Sequence, residues 1–201
     1  MRFYHRTISP EWIRTVQDLG CCDGLYLDQG LKIFQEPENL PGVVATLAGR
    51  VEGPVFLSLQ EAVPGGLPAD PARAAKHVLE IVRWAPNLVP LLLPDKLGLE
   101  VLGLLERQQV AAAVCGVKSV GQGLLAAKSK AALIFTQSVE ASPIDLPTRL
   151  LSVLDNYAFE SELVVAGTLT VPDLEEAGLV GVDGAVVGEE LLQELLGLPR
   201  T

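Results

Sequence analysis

Aromatic residues and cysteines are scarce in this chain of 201 residues, and long hydrophobic runs are absent. Only 5% of its residues are aromatic, and two of its three cysteines, Cys21 and Cys22, are adjacent. This pattern gives no disulfide framework, so we expect a reducing, cytoplasmic environment. No apolar run approaches the ~20 residues that span a bilayer. Residues 1–7 lack the apolar core of a secretory signal. We therefore expect no membrane partner.

Basic side chains are also few. The 15 lysines and arginines are outnumbered by 25 aspartates and glutamates, which gives a formal net charge of −10. Surfaces that follow nucleic-acid phosphates are basic, so we expect no nucleic-acid partner. The hydrophobic content of 49% excludes intrinsic disorder. No linker or change in composition divides the chain, so we expect residues 1–201 to form a single domain.

Short apolar runs alternate with longer amphipathic segments along the whole chain. The runs are almost continuously apolar, which indicates strands buried on both faces and hence a parallel sheet. Eight strand–helix units favour a (β/α)8 TIM barrel, and an open doubly wound sheet is the alternative. The predicted strands are Arg2–Thr7, Cys22–Asp28, Pro54–Gln60, Leu88–Leu93, Val110–Cys115, Ala131–Thr136, Glu162–Thr168 and Gly184–Val187.

The intervening segments carry helix signals. The clearest is Asp70–Trp84, where Asp70 is a typical N-cap residue and Pro71 suits the first helical position. We also predict a helix after Ser9, followed by helices at Leu40–Gly49, Leu97–Gln108, Ser119–Ser129, Pro147–Tyr157, Pro172–Leu179 and Glu189–Leu196.

Two patterns suggest a cofactor or a metal, and each has a simpler explanation. Residues 121–126 fit the dinucleotide pattern GxGxxA, but they lie in mid-chain, where small residues more often let the helix pack closely on the sheet. Asp28, Glu61, Asp95 and Glu189 would ring the barrel mouth and offer oxygen ligands to a cation, yet polar loops in an acidic protein are expected there anyway. We therefore predict no cofactor and no metal.

The order of several motifs resembles that of the small transaldolase family, which includes fructose-6-phosphate aldolase-like members. The similarity runs over essentially the whole chain. MRFYHRT at 1–7 resembles MKFFIDT, and GPV at 53–55 resembles the GPVS start of strand 3. QGLLAAK at 122–128 resembles QALLAAKAG, DNYAF at 155–159 resembles DNYGF, and VVAGT at 164–168 resembles VIAAS. The resemblance implies the same (β/α)8 barrel that the periodicity favours.

The resemblance also implies a Schiff-base mechanism, in which a lysine at the end of strand 4 condenses with a ketose carbonyl. That lysine needs a partly desolvated amine with a lowered pKa. Aligning Pro94 with the proline of the family's VVKIP motif places Leu92 at the lysine position, and a slip of one residue places Leu91 or Leu93 there. None of these side chains can form an imine.

Other family positions differ in the same way. The acid/base aspartate of strand 1, the asparagine after strand 2, the glutamate of strand 3 and the threonine of strand 5 align with Arg6, Asp28, Ser58 and Cys115. The two phosphate-binding positions align with Glu140 and Thr170. We therefore predict a transaldolase-like barrel without the family reaction, either a pseudoenzyme or a protein that binds a small molecule at its mouth. The predicted ligand-binding residues are Arg6, Asp28, Ser58, Asp95, Lys96, Cys115, Gln137, Glu140 and Thr168.

An alternative function retains the family chemistry on a different lysine. Lys118 aligns with an apolar residue at the end of strand 5, and its amine would replace the missing nucleophile in a divergent aldolase of sugar-phosphate metabolism. A loop lysine exposed to solvent explains Lys118 more simply. The resemblance further places an assembly helix after the eighth unit, where this chain has only residues 198–201. We therefore expect a monomer or dimer rather than the family decamer.

Overall fold

Eight parallel strands close into a barrel in the computed structural model, which describes residues 1–28, 30–35, 39–63, 65–137 and 144–197. Each strand pairs with its neighbours in the chain, and the first pairs with the last. This confirms the predicted (β/α)8 barrel and excludes the open sheet. The strands are β1 (Arg2–His5), β2 (Gly24–Leu27), β3 (Val55–Ser58), β4 (Leu88–Leu92), β5 (Ala113–Val117), β6 (Leu133–Gln137), β7 (Glu162–Ala166) and β8 (Gly184–Val187).

Helices surround the barrel and begin at the predicted caps. Asp70 accepts a hydrogen bond from the backbone N–H of Arg73, and Ser119 accepts one from Gln122. The helices are α1 (Pro10–Asp18), α2 (Leu40–Ala48), α3 (Leu59–Ala62), α4 (Pro71–Val82), α5 (Lys96–Glu106), α6 (Val120–Lys128), α7 (Asp145–Asn156), α8 (Val171–Val180) and α9 (Glu189–Leu195), with a 3₁₀ turn at Lys32–Gln35. In the ranges that the structure describes, no helix has the length and apolarity needed to cross a membrane.

Every predicted strand except the eighth differs from the structure by one to three residues at one or both ends, and the fifth and third show the reasons. The fifth lies at Ala113–Val117 rather than at Val110–Cys115, because the first apolar residues of that run still belong to the turn after α5. Gly116 has a φ of +70°, and the register with β6 shifts there, which marks a bulge. The third strand ends at Ser58, where the chain turns directly into the short helix α3.

The barrel interior is filled largely by the scarce aromatic residues. Two of the three tyrosines and two of the five phenylalanines of the chain lie inside it. The ring of Phe56 is 4.9 Å from those of both Tyr4 and Phe135, and Tyr26 lies 5.1 Å from Phe135. This inner core consists of Tyr4, Tyr26, Phe56, Leu91, Ala113, Cys115, Phe135, Val164, Ala166 and Val186. A larger outer core lies between the strands and the helices.

The GxGxxA segment contributes to helix packing, as its position predicts. A Cβ atom added to the buried Gly123 would lie 2.4 Å from the Cδ2 atom of Leu150 on α7. Gly123 therefore lets α6 approach α7 closely. The sequence argument expected the close contact to be with the sheet, and the structure instead places it between two helices.

His5 is fully buried on the outer side of β1, and its burial makes the fold sensitive to acid. Its Nε2 atom lies 2.8 Å from the carbonyl oxygen of Cys21. Burial lowers the pKa of His5 below its usual 6.5 despite the nearby carbonyl and the charges of Asp23 and Glu189. The unfolded chain therefore takes up this proton first as the pH falls, so the free energy of unfolding decreases below about pH 6.5.

We expect His5→Gln to flatten this pH dependence. The glutamine amide can still donate to the Cys21 carbonyl, but it does not titrate. Urea denaturation at pH 7.5 and at pH values below 6.5 measures the slope. The matched control is His77→Gln, because His77 of α4 is only half-buried. A slope that is the same in the native chain and in His5→Gln would contradict the prediction.

Candidate functional site

A cavity of about 280 Å3 opens at the carboxyl ends of the strands, where (β/α)8 barrels hold their chemistry. We call it the mouth cavity. Its walls carry hydroxyl, amide and charged groups above the aromatic inner core. The predicted residues that line it are Arg6, Asp28, Ser58, Cys115, Gln137 and Thr168, and they are joined by Tyr26, Gln60, Leu93, Gly116, Thr136, Ala166, Gly167 and Val186.

Other predicted residues do not line the mouth cavity. Asp95 caps α5, where its Oδ1 atom accepts a hydrogen bond of 2.7 Å from the N–H of Gly98. Lys96 follows it and lies 4.0 Å from Glu100, with its side chain 90% exposed. Glu140 and the side chain of Glu61 lie outside the part of the chain that the structure describes.

Lys118 lies one residue beyond β5, and its side chain is exposed. The bulge at Gly116 interrupts the alternation of this strand, so that Cys115 faces the interior while Val117 packs in the outer core. Lys118 does not line the mouth cavity. Its backbone N–H donates to the side chain of Gln122 at the start of α6.

An ion pair between Arg6 and Asp28 crosses one wall of the mouth cavity. The Nε atom of Arg6 lies 2.7 Å from Oδ1 of Asp28, and the same oxygen accepts a hydrogen bond of 3.3 Å from the N–H of Gly30. Both side chains are partly exposed, so the pair contributes at most about 1 kcal/mol to stability. Its main consequence is that the positive charge of Arg6 is already matched by a carboxylate.

We expect Gly30→Ala to displace the Arg6 side chain. A Cβ atom at this position would lie 1.6 Å from Nη2 of Arg6, so the guanidinium must leave Asp28. The Nε–H resonance of Arg6 in a nitrogen-15 NMR spectrum should shift and exchange faster with water, while stability changes by less than about 1 kcal/mol. Gly188→Ala is the matched control, because an added Cβ meets nothing within 4 Å. An unchanged Arg6 resonance in Gly30→Ala would contradict the prediction.

The structure distinguishes the three leucines that the alignment on Pro94 leaves open on β4. Leu92 is buried in the outer core, and its side chain faces the helices. Leu91 belongs to the inner core, and Leu93 packs against that core and lines the mouth cavity. The residue that faces the mouth from the end of β4 is therefore Leu93 rather than Leu92.

Three polar wall residues of the mouth cavity, Tyr26, Gln60 and Thr136, are absent from the predicted ligand-binding residues. Tyr26 lies two residues before Asp28, so strand alternation alone could have placed both on the inner face. Gln60 comes from α3, a helix that the apolar run across β3 concealed.

Proteins named as probable transaldolases support the resemblance. No protein-family model matches the chain. A probable transaldolase 2 from Listeria monocytogenes is 29% identical over 206 residues, which covers the whole chain and 91% of that protein. Over its whole length the chain is similar to probable transaldolases, at 25–29% identity. Probable transaldolases from Streptococcus equi and Methanococcus maripaludis are 26% and 25% identical to this transaldolase homologue over its full length, which covers 92% of each.

Solved structures share the barrel with this transaldolase homologue. Thiamine phosphate pyrophosphorylase from Pyrococcus furiosus superimposes with a TM-score of 0.62 at 14% identity, over 93% of this chain and 85% of that one. A mandelate oxidase mutant gives a TM-score of 0.59, also at 14% identity, over 92% of this chain and 64% of its own. At this identity the similarity shows the fold alone.

The lysines of this transaldolase homologue all lie on its exposed surface. The structure describes every one of them, and none lines the mouth cavity. They are Lys32, Lys76, Lys96, Lys118, Lys128 and Lys130. An exposed ammonium keeps its hydration, so it lacks the desolvation that makes a lysine amine nucleophilic at neutral pH.

Proposed function

We propose that this transaldolase-like barrel binds a small uncharged ligand at its mouth and forms no Schiff base there. The observation that carries the proposal is Leu93, an apolar side chain at the mouth-facing end of β4. The exposure of the lysines supports it further. An imine needs an amine held close to the carbonyl carbon, and no lysine among the described residues lines the cavity that would hold that carbon.

The charges around the mouth favour an uncharged ligand over a sugar phosphate. Arg6 is already paired with Asp28. A neighbouring cavity of about 590 Å3 shares Arg6 and Thr168 with the mouth cavity and contains Glu189, which accepts a hydrogen bond of 2.5 Å from Thr7. A phosphate would therefore meet carboxylates rather than unpaired cations. Ser58, Gln60, Gln137 and Thr168 offer hydrogen bonds without charge.

Borohydride trapping tests the proposal directly. The protein is incubated with dihydroxyacetone or with fructose 6-phosphate, reduced with borohydride and weighed by intact mass spectrometry. An imine forms with loss of water, and borohydride reduces it to a stable secondary amine, so the chain gains the mass of the ligand less one oxygen atom. We expect the mass to stay unchanged with both compounds. An adduct that maps to any lysine would overturn the proposal.

A second candidate function is a divergent aldolase or transaldolase that uses Lys118. The observation that favours it is the position of Lys118 just after β5, at the same end of the barrel as the mouth cavity. This function predicts an adduct that disappears in Lys118→Ala and remains in Lys130→Ala, since Lys130 precedes β6 at the opposite end. An adduct that is absent from the native chain removes this candidate.

A further inference from the structure

A second cavity, lined mostly by leucines, borders the mouth on the side of β3 and β4. Its volume is about 470 Å3, and leucines from β4, α5 and the β3–α4 connection form most of its wall. We call it the leucine pocket. It is lined by Leu59, Leu67, Leu91, Leu92, Leu93 and Leu97, together with Gln60, Gly66, Asp95 and Gly98. Leu93 and Gln60 line the mouth cavity as well, so the two cavities share a wall.

Tight backbone contacts fix the walls of the leucine pocket. An added Cβ on Gly98 would lie 2.1 Å from the carbonyl oxygen of Leu93, so the start of α5 presses directly on the end of β4. On the opposite side, the N–H of Gly66 donates to the carbonyl of Val63 and closes a turn. The pocket is therefore formed before any ligand enters, which reduces the entropic cost of binding.

The leucine pocket has little charge to offer a ligand. Asp95 is its one charged wall residue among those that the structure describes, and its carboxylate caps α5. The polar Gln60 lines both cavities. Further polar groups, Ser58 and the Arg6–Asp28 pair, line the mouth cavity. The mouth thus presents a leucine-lined cavity with little charge beside a polar cavity in which the charges of Arg6 and Asp28 are paired.

We propose that the leucine pocket holds the apolar group of the ligand while an uncharged hydroxyl-bearing end occupies the mouth cavity. The ligand class is a small alcohol or polyol that carries an aliphatic or aromatic substituent. The polar half of this assignment rests on the proposed function, whereas the apolar half depends only on the leucine pocket. Leu93 then acts as a specificity-determining residue, because it supplies apolar wall where an imine-forming lysine would otherwise stand.

Three matched probes separate the contributions of the two ends. 3-Phenylpropan-1-ol has both an apolar arm and a hydroxyl, 3-phenylpropionate replaces the hydroxyl with a carboxylate, and propan-1-ol lacks the arm. Nitrogen-15 NMR titration follows the amides of Gly66 and Gly98 in the leucine pocket and of Thr168 in the mouth. We expect saturable shifts at all three amides with 3-phenylpropan-1-ol, and binding about tenfold weaker for each of the other probes.

Two variants on α5 complete the test. Leu97→Gln introduces an amide into the leucine pocket, whereas Leu99→Gln changes a half-buried leucine of the same helix that does not line it. We expect Leu97→Gln to weaken binding of 3-phenylpropan-1-ol at least about fivefold and Leu99→Gln to leave it unchanged. Equal effects of the two variants, equal binding of propan-1-ol, or shifts confined to other amides would each overturn the proposal.

The outcomes also distinguish this inference from the proposed function. A trapped lysine adduct would overturn the proposed function, which excludes an imine at the mouth. It would not contradict binding of an apolar group in the leucine pocket. Tighter binding of 3-phenylpropionate than of 3-phenylpropan-1-ol would contradict only the proposal that the mouth cavity takes an uncharged group. Loss of the preference for the phenyl arm would overturn the leucine pocket alone.

Discussion

Leu93→Lys is expected to form a borohydride-reducible imine with dihydroxyacetone, whereas the native chain is expected to form none. Leu93 is partly buried, faces the mouth cavity and packs against the inner core. An amine at this position would lose part of its hydration, and desolvation lowers the pKa of an amine towards neutrality. Intact mass spectrometry after reduction should show the mass of one ligand less one oxygen atom added to the chain, and peptide mapping should place it at the substituted position.

Leu92→Lys is the matched control for this experiment. Leu92 lies in the outer core with 2% of its surface exposed and borders the leucine pocket, not the mouth cavity, so an ammonium there would lie among leucines and away from the mouth. We expect this variant to lose about 3–5 kcal/mol of unfolding free energy and to form no adduct while folded. The assignment of the mouth-facing position is wrong if Leu92→Lys is trapped, or if folded Leu93→Lys is not.

The barrel itself could be predicted from the sequence because its evidence is spread over many residues. Strands such as 184–187 are continuously apolar, which is typical of strands covered on both faces. Caps such as Asp70 act through bonds between near neighbours, so their signal is local. Errors at single boundaries leave such a repeated pattern intact.

The candidate site could be predicted only where it continues the strand alternation. Arg6, Asp28 and Ser58 each follow an inward-facing aromatic residue by two positions, and all three line the mouth cavity. The alignment on Pro94 leaves Leu91, Leu92 and Leu93 open on β4, because counting back from a proline ignores which way each side chain faces. The alternation of inward-facing and outward-facing side chains along β5 is interrupted at Gly116. The positive φ of this residue cannot be read from the sequence.

Phe135→Ala is expected to produce the largest loss of stability among simple truncations in the barrel interior. Phe135 is fully buried, and its ring centroid lies 4.9 Å from that of Phe56 and 5.1 Å from that of Tyr26. Truncation removes these contacts and leaves a void that a closed barrel cannot collapse to fill. We expect a loss of about 3–5 kcal/mol in urea denaturation, with a melting temperature lower by roughly 10 °C.

Tyr157→Ala is the matched aromatic control, since its side chain is 70% exposed after α7 and should contribute less than about 0.5 kcal/mol. A loss below about 1 kcal/mol in Phe135→Ala would contradict a barrel filled by aromatic rings. The truncation also reaches the site, because Tyr26 packs on Phe135 and lines the mouth cavity. The ring of Phe135 thus packs against Tyr26 at the base of the mouth cavity. Ligand binding at the mouth should therefore weaken in Phe135→Ala even where the protein remains folded.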